Sequence, residues 1–427
     1  MAAEARSSNV AAEARSSNVA AEDRSSNVAA TAENVRAYAC AMPYATGRTI
    51  HDADSHVVET PDWIIGYADP RLRERMHPLY VATVAPGEEA LIDDARRKHA
   101  DPEYRALDEE QIMLRKNWRA TGAFIADDRP RALDLLGFAS QLVFNTFANK
   151  ELQRAEHRDD LEYTYGLARA HNRAIVDFCR ADRRLLPVGY VPLADFEQAA
   201  AMAVEALDLG CAALMIASAC PPGHSPSHVG LFPVWARAQE AGVPIVLHVG
   251  GGGRLLDPHY FDNGLPPVPD FHGGAENFRS VDYMAIPYPP MQTLATMILD
   301  GVLDRFPTLK IGVIEQGASW VPGWMRAMDS AAIAFVKNEE RLQKLSLTPS
   351  EFVRRQIRVT PYPHEDTGWI VANTGPEVCL FSSDYPHVEG GRNPLARFEA
   401  SLAGVDEHAQ QRFYCDNFVD LMGSALP

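Results

Sequence analysis

From about residue 48 onward, short apolar runs alternate with amphipathic helical patterns, and this alternation constrains the fold more than any other feature of the chain. The runs expected as strands are Thr49–Asp54, Gln141–Asn145, Leu185–Val191, Ala212–Ala217, Pro244–Val249, Lys310–Glu315, Gln356–Thr360 and Val378–Ser382. Helical periodicity falls between them, as at Asp160–Ala181, Asp195–Leu209, Pro233–Ala241 and Met291–Arg305. Several runs are apolar without alternation, such as Pro-Ile-Val-Leu at 244–247, which is the pattern of strands covered on both faces. Eight such strands with helices between them predict an α/β chain folded as a (β/α)8 TIM-type barrel, with a doubly wound open sheet as the alternative.

Two connections are too long for a minimal barrel, one after strand 1 and one after strand 5. The second contains Gly250–Gly253 and a proline-rich aromatic stretch that includes Tyr260, Phe261, Phe271, Phe278, Tyr283 and Tyr288. Both insertions leave the carboxyl ends of strands, where barrel active sites are built, so they are expected to act as lids or subunit contacts. A homo-oligomer, dimer or higher, is the corresponding expectation. Upstream lies a different texture: AAEARSSNV at 2–10 and 11–19, then AAEDRSSNV at 20–28. A nine-residue period matches neither helical supercoil repeat, so residues 1–47 are expected to be an extension and 48–427 the barrel.

Charge narrows the partners. Forty Lys and Arg against 57 Asp and Glu leave −17, a balance that repels phosphate backbones and anionic lipid, so nucleic acid and membrane are excluded as expected partners. No apolar run approaches the roughly 18 residues needed to span a bilayer. The six cysteines are scattered, as in reduced thiols, and no secretory signal profile opens the chain, so a cytoplasmic location is expected.

The chemistry-bearing residues gather where strands end. Strand 1 closes with Asp54-Ser55-His56, strand 5 with His248, strand 6 with Glu315, and strand 8 runs into Asp384. Positions i and i+2 of a strand face one side, so Asp54 and His56 can both aim into the barrel mouth. Asp54, His56, His248 and Asp384 would form a mixed nitrogen and oxygen cage suited to one divalent ion, Zn, Mn or Fe. Singly, each has a plain structural use, such as a turn cap for the aspartate in Ser-Ser-Asp-Tyr-Pro. Their joint placement at barrel ends is what points to metal.

These segments also resemble the amidohydrolase superfamily, in particular the amidohydrolase-related group that contains aminocarboxymuconate-semialdehyde decarboxylase and resorcylate-type decarboxylases. The resemblance runs from about Ile50 to Phe418. It is carried by DADSHVVETPDW, RALDLLGFASQLVF, RRLLPVGYVPL, FPVWARAQEAGVPIVLHVGG, GVLDRFPTLKIGVIEQGASWVPGWM and FSSDYPHVEGG. It implies metal ligands at Asp54, His56, His248 and Asp384. It also implies a single metal, because the run Cys211–Ala217 offers neither the lysine nor the glutamate that bridges two metals in binuclear relatives. The chain departs from many relatives at two places: strand 1 carries Asp-x-His in place of His-x-His, and Glu315 stands where a histidine follows strand 6.

The resemblance implies a hydrolase in which metal-activated water attacks a small aromatic or heteroaromatic catabolic substrate, with displacement of an amino or nitro group as one form of that reaction. Asp384 would move the proton, and Glu315 or His387 would orient the substrate. The alternatives are a metal-dependent non-oxidative decarboxylase of an aromatic or muconate-type acid, and a metal-free barrel that binds ligand. His228 and Arg392 are further candidates for substrate contact. By contrast, His364-Glu365 lacks the second histidine of a zincin helix, and the glycines at 250–253 lack dinucleotide-binding spacing, so both motifs are set aside.

Overall fold

The computed structural model describes residues 42–79, 87–250, 256–266 and 280–426. The repeats at 2–28, the glycines 251–253, Phe271 and Phe278 lie outside the described residues. Seven parallel strands pair in sequence order: β1 His51–His56, β2 Ser140–Phe144, β3 Leu185–Tyr190, β4 Ala213–Ile216, β5 Ile245–His248, β6 Ile311–Ile314 and β7 Ile357–Val359. Every residue of β2 to β7 is buried, the polar Ser140, Gln141, His248 and Arg358 included, as strands covered on both faces require. The expected barrel is therefore the fold, and the open-sheet alternative falls away.

The eighth run differs from expectation in an informative way. Val378–Ser382 forms no regular strand, yet it closes the circle between β7 and β1. Val359 N donates to Val378 O at 2.8 Å, and Leu380 N to Val359 O at 3.1 Å. On the other side, Ala53 N donates to Phe381 O at 3.1 Å and Asp384 N to Asp54 O at 2.9 Å. The ladder is interrupted by the buried Asp52 carboxylate, which accepts from Ser383 N at 2.7 Å and from Ser383 Oγ at 2.6 Å. That capture turns the chain out of strand geometry and delivers Asp384 in a left-handed conformation, φ 54°.

Helix ends follow local chemistry. Asp160 accepts from Tyr163 N at 3.0 Å to start Leu161–Cys179, and Asp195 accepts from Gln198 N at 2.9 Å to start Phe196–Leu209. Gly210, φ 105°, ends the second of these, because a side chain there would meet the left-handed penalty. The helix expected over Met291–Arg305 is two, Tyr288–Leu299 and Val302–Arg305, broken at Gly301 with φ 82°.

The insertion after β1 carries helices Glu88–His99, Pro102–Glu109 and Arg129–Leu136. Just ahead of β1, Tyr44 N and Ala45 N donate to Leu135 O and Leu136 O, so the chain before residue 48 already packs on the barrel. Among the described residues no helix is long and apolar enough to cross a membrane.

Aromatic packing seals the irregular closing segment. Phe381 is fully buried, with ring centroids of Phe138, Phe398 and Tyr414 at 5.5, 5.6 and 5.8 Å. Its truncation would leave a cavity at the seam that closes the barrel. Phe381→Ala is expected to lower unfolding free energy by about 3–5 kcal/mol, read from denaturant midpoints. A loss below about 1 kcal/mol, the size of a typical surface change, would mean the seam is not held by this packing.

Candidate metal centre

At the carboxyl ends of the strands, Asp54, His56, His248 and Glu315 bring one ligand atom each to within 4.8 Å of the others. A second, overlapping group joins His56, Glu315, Asp384 and His387 under the same limit. Thus all six side chains expected at the centre are brought together. Asp54 Oδ1 is the hub, 3.1 Å from His56 Nε2 and 3.4 Å from His248 Nε2. His248 Nε2 also lies 3.3 Å from Glu315 Oε2, and His56 Nε2 lies 3.5 Å from Asp384 Oδ1.

Second partners fix the imidazole tautomers. His56 Nδ1 donates to Asn145 O at 2.8 Å, and His248 Nδ1 donates to Val249 O at 2.9 Å. Each ring therefore turns its Nε2 inward, where a neutral imidazole carries a lone pair. Burial pushes the His56 pKa down to about 4, with His387 adding to the effect, so the lone pair is present at neutral pH. Burial would raise Asp54, but His248 and His56 outweigh it and hold the carboxyl well below its ordinary range.

Lone pairs and carboxylate oxygens so crowded repel one another unless a cation sits among them. The orphaned atoms agree: among the described residues, His56 Nε2 and both carboxylate oxygens of Asp384 are buried without an aligned hydrogen bond. Unsatisfied buried groups of this kind are costly, and a metal satisfies all of them together. The donor set, two imidazoles with hard carboxylates, fits one divalent ion.

His387 stands behind this cluster. Its ring stacks on His56 at 3.8 Å, and its Nδ1 is 3.1 Å from Asp384 Oδ1. Its Nε2 is 2.8 Å from Thr146 Oγ1, whose only hydrogen goes to Val57 O at 2.7 Å. Thr146 can then only accept, so His387 Nε2 carries a hydrogen and Nδ1 faces Asp384. Burial lowers the His387 pKa, yet the Asp384 carboxylate outweighs it and the net shift is upward.

Backbone strain concentrates here. Among the described residues, those other than glycine with positive φ are Asn117, Glu315 and Asp384, at 52°, 53° and 54°. Glu315 is held in place by Thr360 Oγ1, which accepts from its amide at 2.8 Å, and by Tyr362, whose hydroxyl donates to its carbonyl at 2.8 Å. Tyr362 in turn packs on Tyr283 at 5.5 Å, which brings the helix Ser280–Ala285 of the post-β5 insertion against this corner of the mouth.

His228 lies elsewhere. It is exposed, stacks on Phe196 at 4.5 Å, and its Nδ1 accepts from Gly230 N at 3.0 Å, so it belongs to neither cluster. Arg392 is likewise exposed and outside both groups. Glu365 serves structure: its carboxylate accepts from Ala318 N, Ser319 N and Tyr362 N, tying the loops after β6 and β7. The buried Nζ of Lys116, on the turn whose next residue bonds Pro386 O, carries no local sequence pattern that would mark it.

A parallel barrel with imidazoles and carboxylates converging at its strand ends defines a metal-dependent enzyme class. The amidohydrolase family model matches residues 52–419, and the chain belongs to that family. No curated protein matches the chain. Solved structures do. An amidohydrolase from Mycobacterium avium subsp. paratuberculosis is 24% identical with TM-score 0.68, covering 89% of this chain and all of its own. The 5-carboxyvanillate decarboxylase of Novosphingobium aromaticivorans, solved with manganese and a nitrobenzoic acid, is 18% identical with TM-score 0.56, covering 88% of this chain and 97% of its own. A 2,6-dihydroxybenzoate decarboxylase from Rhizobium is 14% identical with TM-score 0.55, covering 88% and 99%. At these identities the likeness is one of fold.

Proposed function

We propose that the protein is a metal-dependent non-oxidative decarboxylase of a small aromatic acid, with manganese as the ion of choice. The observation that carries this reading is the Asp384–His387 pair set against the cation cluster, because loss of CO2 leaves an electron pair on ring carbon that only a proton can take up. Solved decarboxylases of aromatic acids on the same fold, two of them with manganese, add support. When bound, the ion supplies positive charge that holds the substrate carboxylate and a neighbouring ring oxygen.

The chain's own residues do the rest. His56 and His248 are held by their Nδ1 bonds with Nε2 inward, and Asp54 Oδ1 stands between the two as a third donor. One proton between His387 Nδ1 and Asp384 Oδ1 satisfies both atoms, and Asp384, whose other oxygen is free of aligned hydrogen bonds, delivers it. The carbon–carbon bond breaks, CO2 leaves, and the carbon takes the proton. His387 then recovers a proton from solvent.

Hydrolysis remains the second reading, on the observation of Glu315. Its carboxylate joins Asp54 and Asp384 at the centre, and two like charges ~4 Å apart cost about 4 kcal/mol at an effective dielectric near 20, which favours a neutral substrate. The two readings part in one experiment. Manganese-loaded protein is offered hydroxylated benzoic acids in ¹⁸O-labelled water. The expected result is CO2 with unlabelled phenol as co-product. Labelled ring product without CO2, after a control for exchange, would transfer the assignment to hydrolysis.

A further inference from the structure

Lys116 is out of place by ordinary rules. Its Nζ is buried and, among the described residues, has no hydrogen-bond partner. An ammonium left this way costs several kcal/mol, so such groups are normally paired. The turn that presents it is pinned from both sides to the metal centre. Asn117 N donates to Pro386 O at 2.9 Å, two residues past Asp384, and Trp118 Nε1 donates to Glu59 O at 3.2 Å, three residues past His56. Trp118 also packs on Phe147 at 5.7 Å. Asn117 is one of the three left-handed residues, so the chain accepts backbone strain beside Lys116 to hold this turn. Burial lowers the Lys116 pKa, with the Asp384 and Glu389 carboxylates pulling the other way.

Charge gives the lysine a purpose. Asp54, Glu315 and Asp384 bring three negative charges, which one divalent ion and the proton shared by His387 and Asp384 only cancel, so the cluster has no positive charge to spare for an anionic substrate. A further fixed cation supplies it. We propose that Lys116 Nζ receives a carboxylate oxygen of the ring substrate, so that the enzyme selects aromatic acids over their neutral counterparts. This rests on the reading of the cluster as the site where the ring binds, though not on which bond is broken there.

The test uses the full chain loaded with manganese and two probes alike in shape, 2-hydroxybenzoate and 2-hydroxybenzamide, with affinity read by calorimetry and metal content recorded for each protein. Wild type is expected to favour the acid. Lys116→Met is expected to lose about 10–100-fold in affinity for the acid, the size of one charged hydrogen bond, and nothing for the amide. Lys116→Arg should keep most of the preference. The thermal midpoint of ligand-free Lys116→Met should equal or exceed that of wild type, because a buried unpaired charge is gone; a structural lysine would give the opposite. Equal acid-to-amide ratios in wild type and Lys116→Met, or no acid preference in wild type, overturn the proposal. Failure of the cluster itself shows separately, as wild type that retains no metal.

Discussion

His248→Ala is expected to strip most of the divalent metal that co-purifies with the wild-type protein at about one equivalent, the stoichiometry of a mononuclear site. The reasoning starts from the tautomers. His248 Nδ1 is committed to Val249 O, so Nε2 is the atom aimed inward, toward both Asp54 and Glu315. Alanine removes one of two neutral nitrogen donors and leaves the ion to His56 and carboxylates. Disturbing only the partner behind a ligand costs 10–100-fold in affinity, so losing the ligand itself should cost more than about 100-fold. Elemental analysis of protein purified without chelator gives the answer. Metal content equal to wild type would remove His248 from the site. The substitution sits at the end of β5, not within its apolar run, so the barrel should still fold and circular dichroism should match wild type.

What could be read from the sequence follows from how local each cause is. Asp54, His56, His248, Glu315 and Asp384 were legible because strand periodicity and the strand-end rule need only a few neighbouring residues. The irregularity of the closing run was not, since it depends on Asp52 gripping Ser383, residues 331 apart in the chain. The break at Gly301 shows the reverse case: a local cause, a left-handed glycine, masked by apolar periodicity that continues on both sides. His228 illustrates a further limit. Its place after β4 could be read, but a loop's direction is set by what it packs on, and here the imidazole stacks on Phe196 and joins neither ligand group. Lys116 left no trace at all, because its meaning comes from the turn that Pro386 and Glu59 hold in place.

Asp384→Asn should cut turnover by about 10²–10⁴-fold, the contribution of one positioned acid, while retaining more metal than His248→Ala. Asparagine keeps the size of the side chain, and the amide hydrogen bond from residue 384 to Asp54 O is a backbone contact that the change does not touch. What is lost is the carboxyl that holds a proton facing His387 Nδ1. Thr146→Val probes the same path one step back: the His387 Nε2 hydrogen loses its acceptor, the ring is no longer locked, and a smaller loss of about 10–100-fold is expected. The order of the two effects matters as much as their size. If Asp384 were only a ligand, metal content and rate would fall together in Asp384→Asn, and Thr146→Val would leave both unchanged. If it delivers the proton, the rate falls in both variants while Thr146→Val keeps its metal, and solvent deuterium, which slows proton delivery in wild type, should slow turnover of Thr146→Val by at least as much.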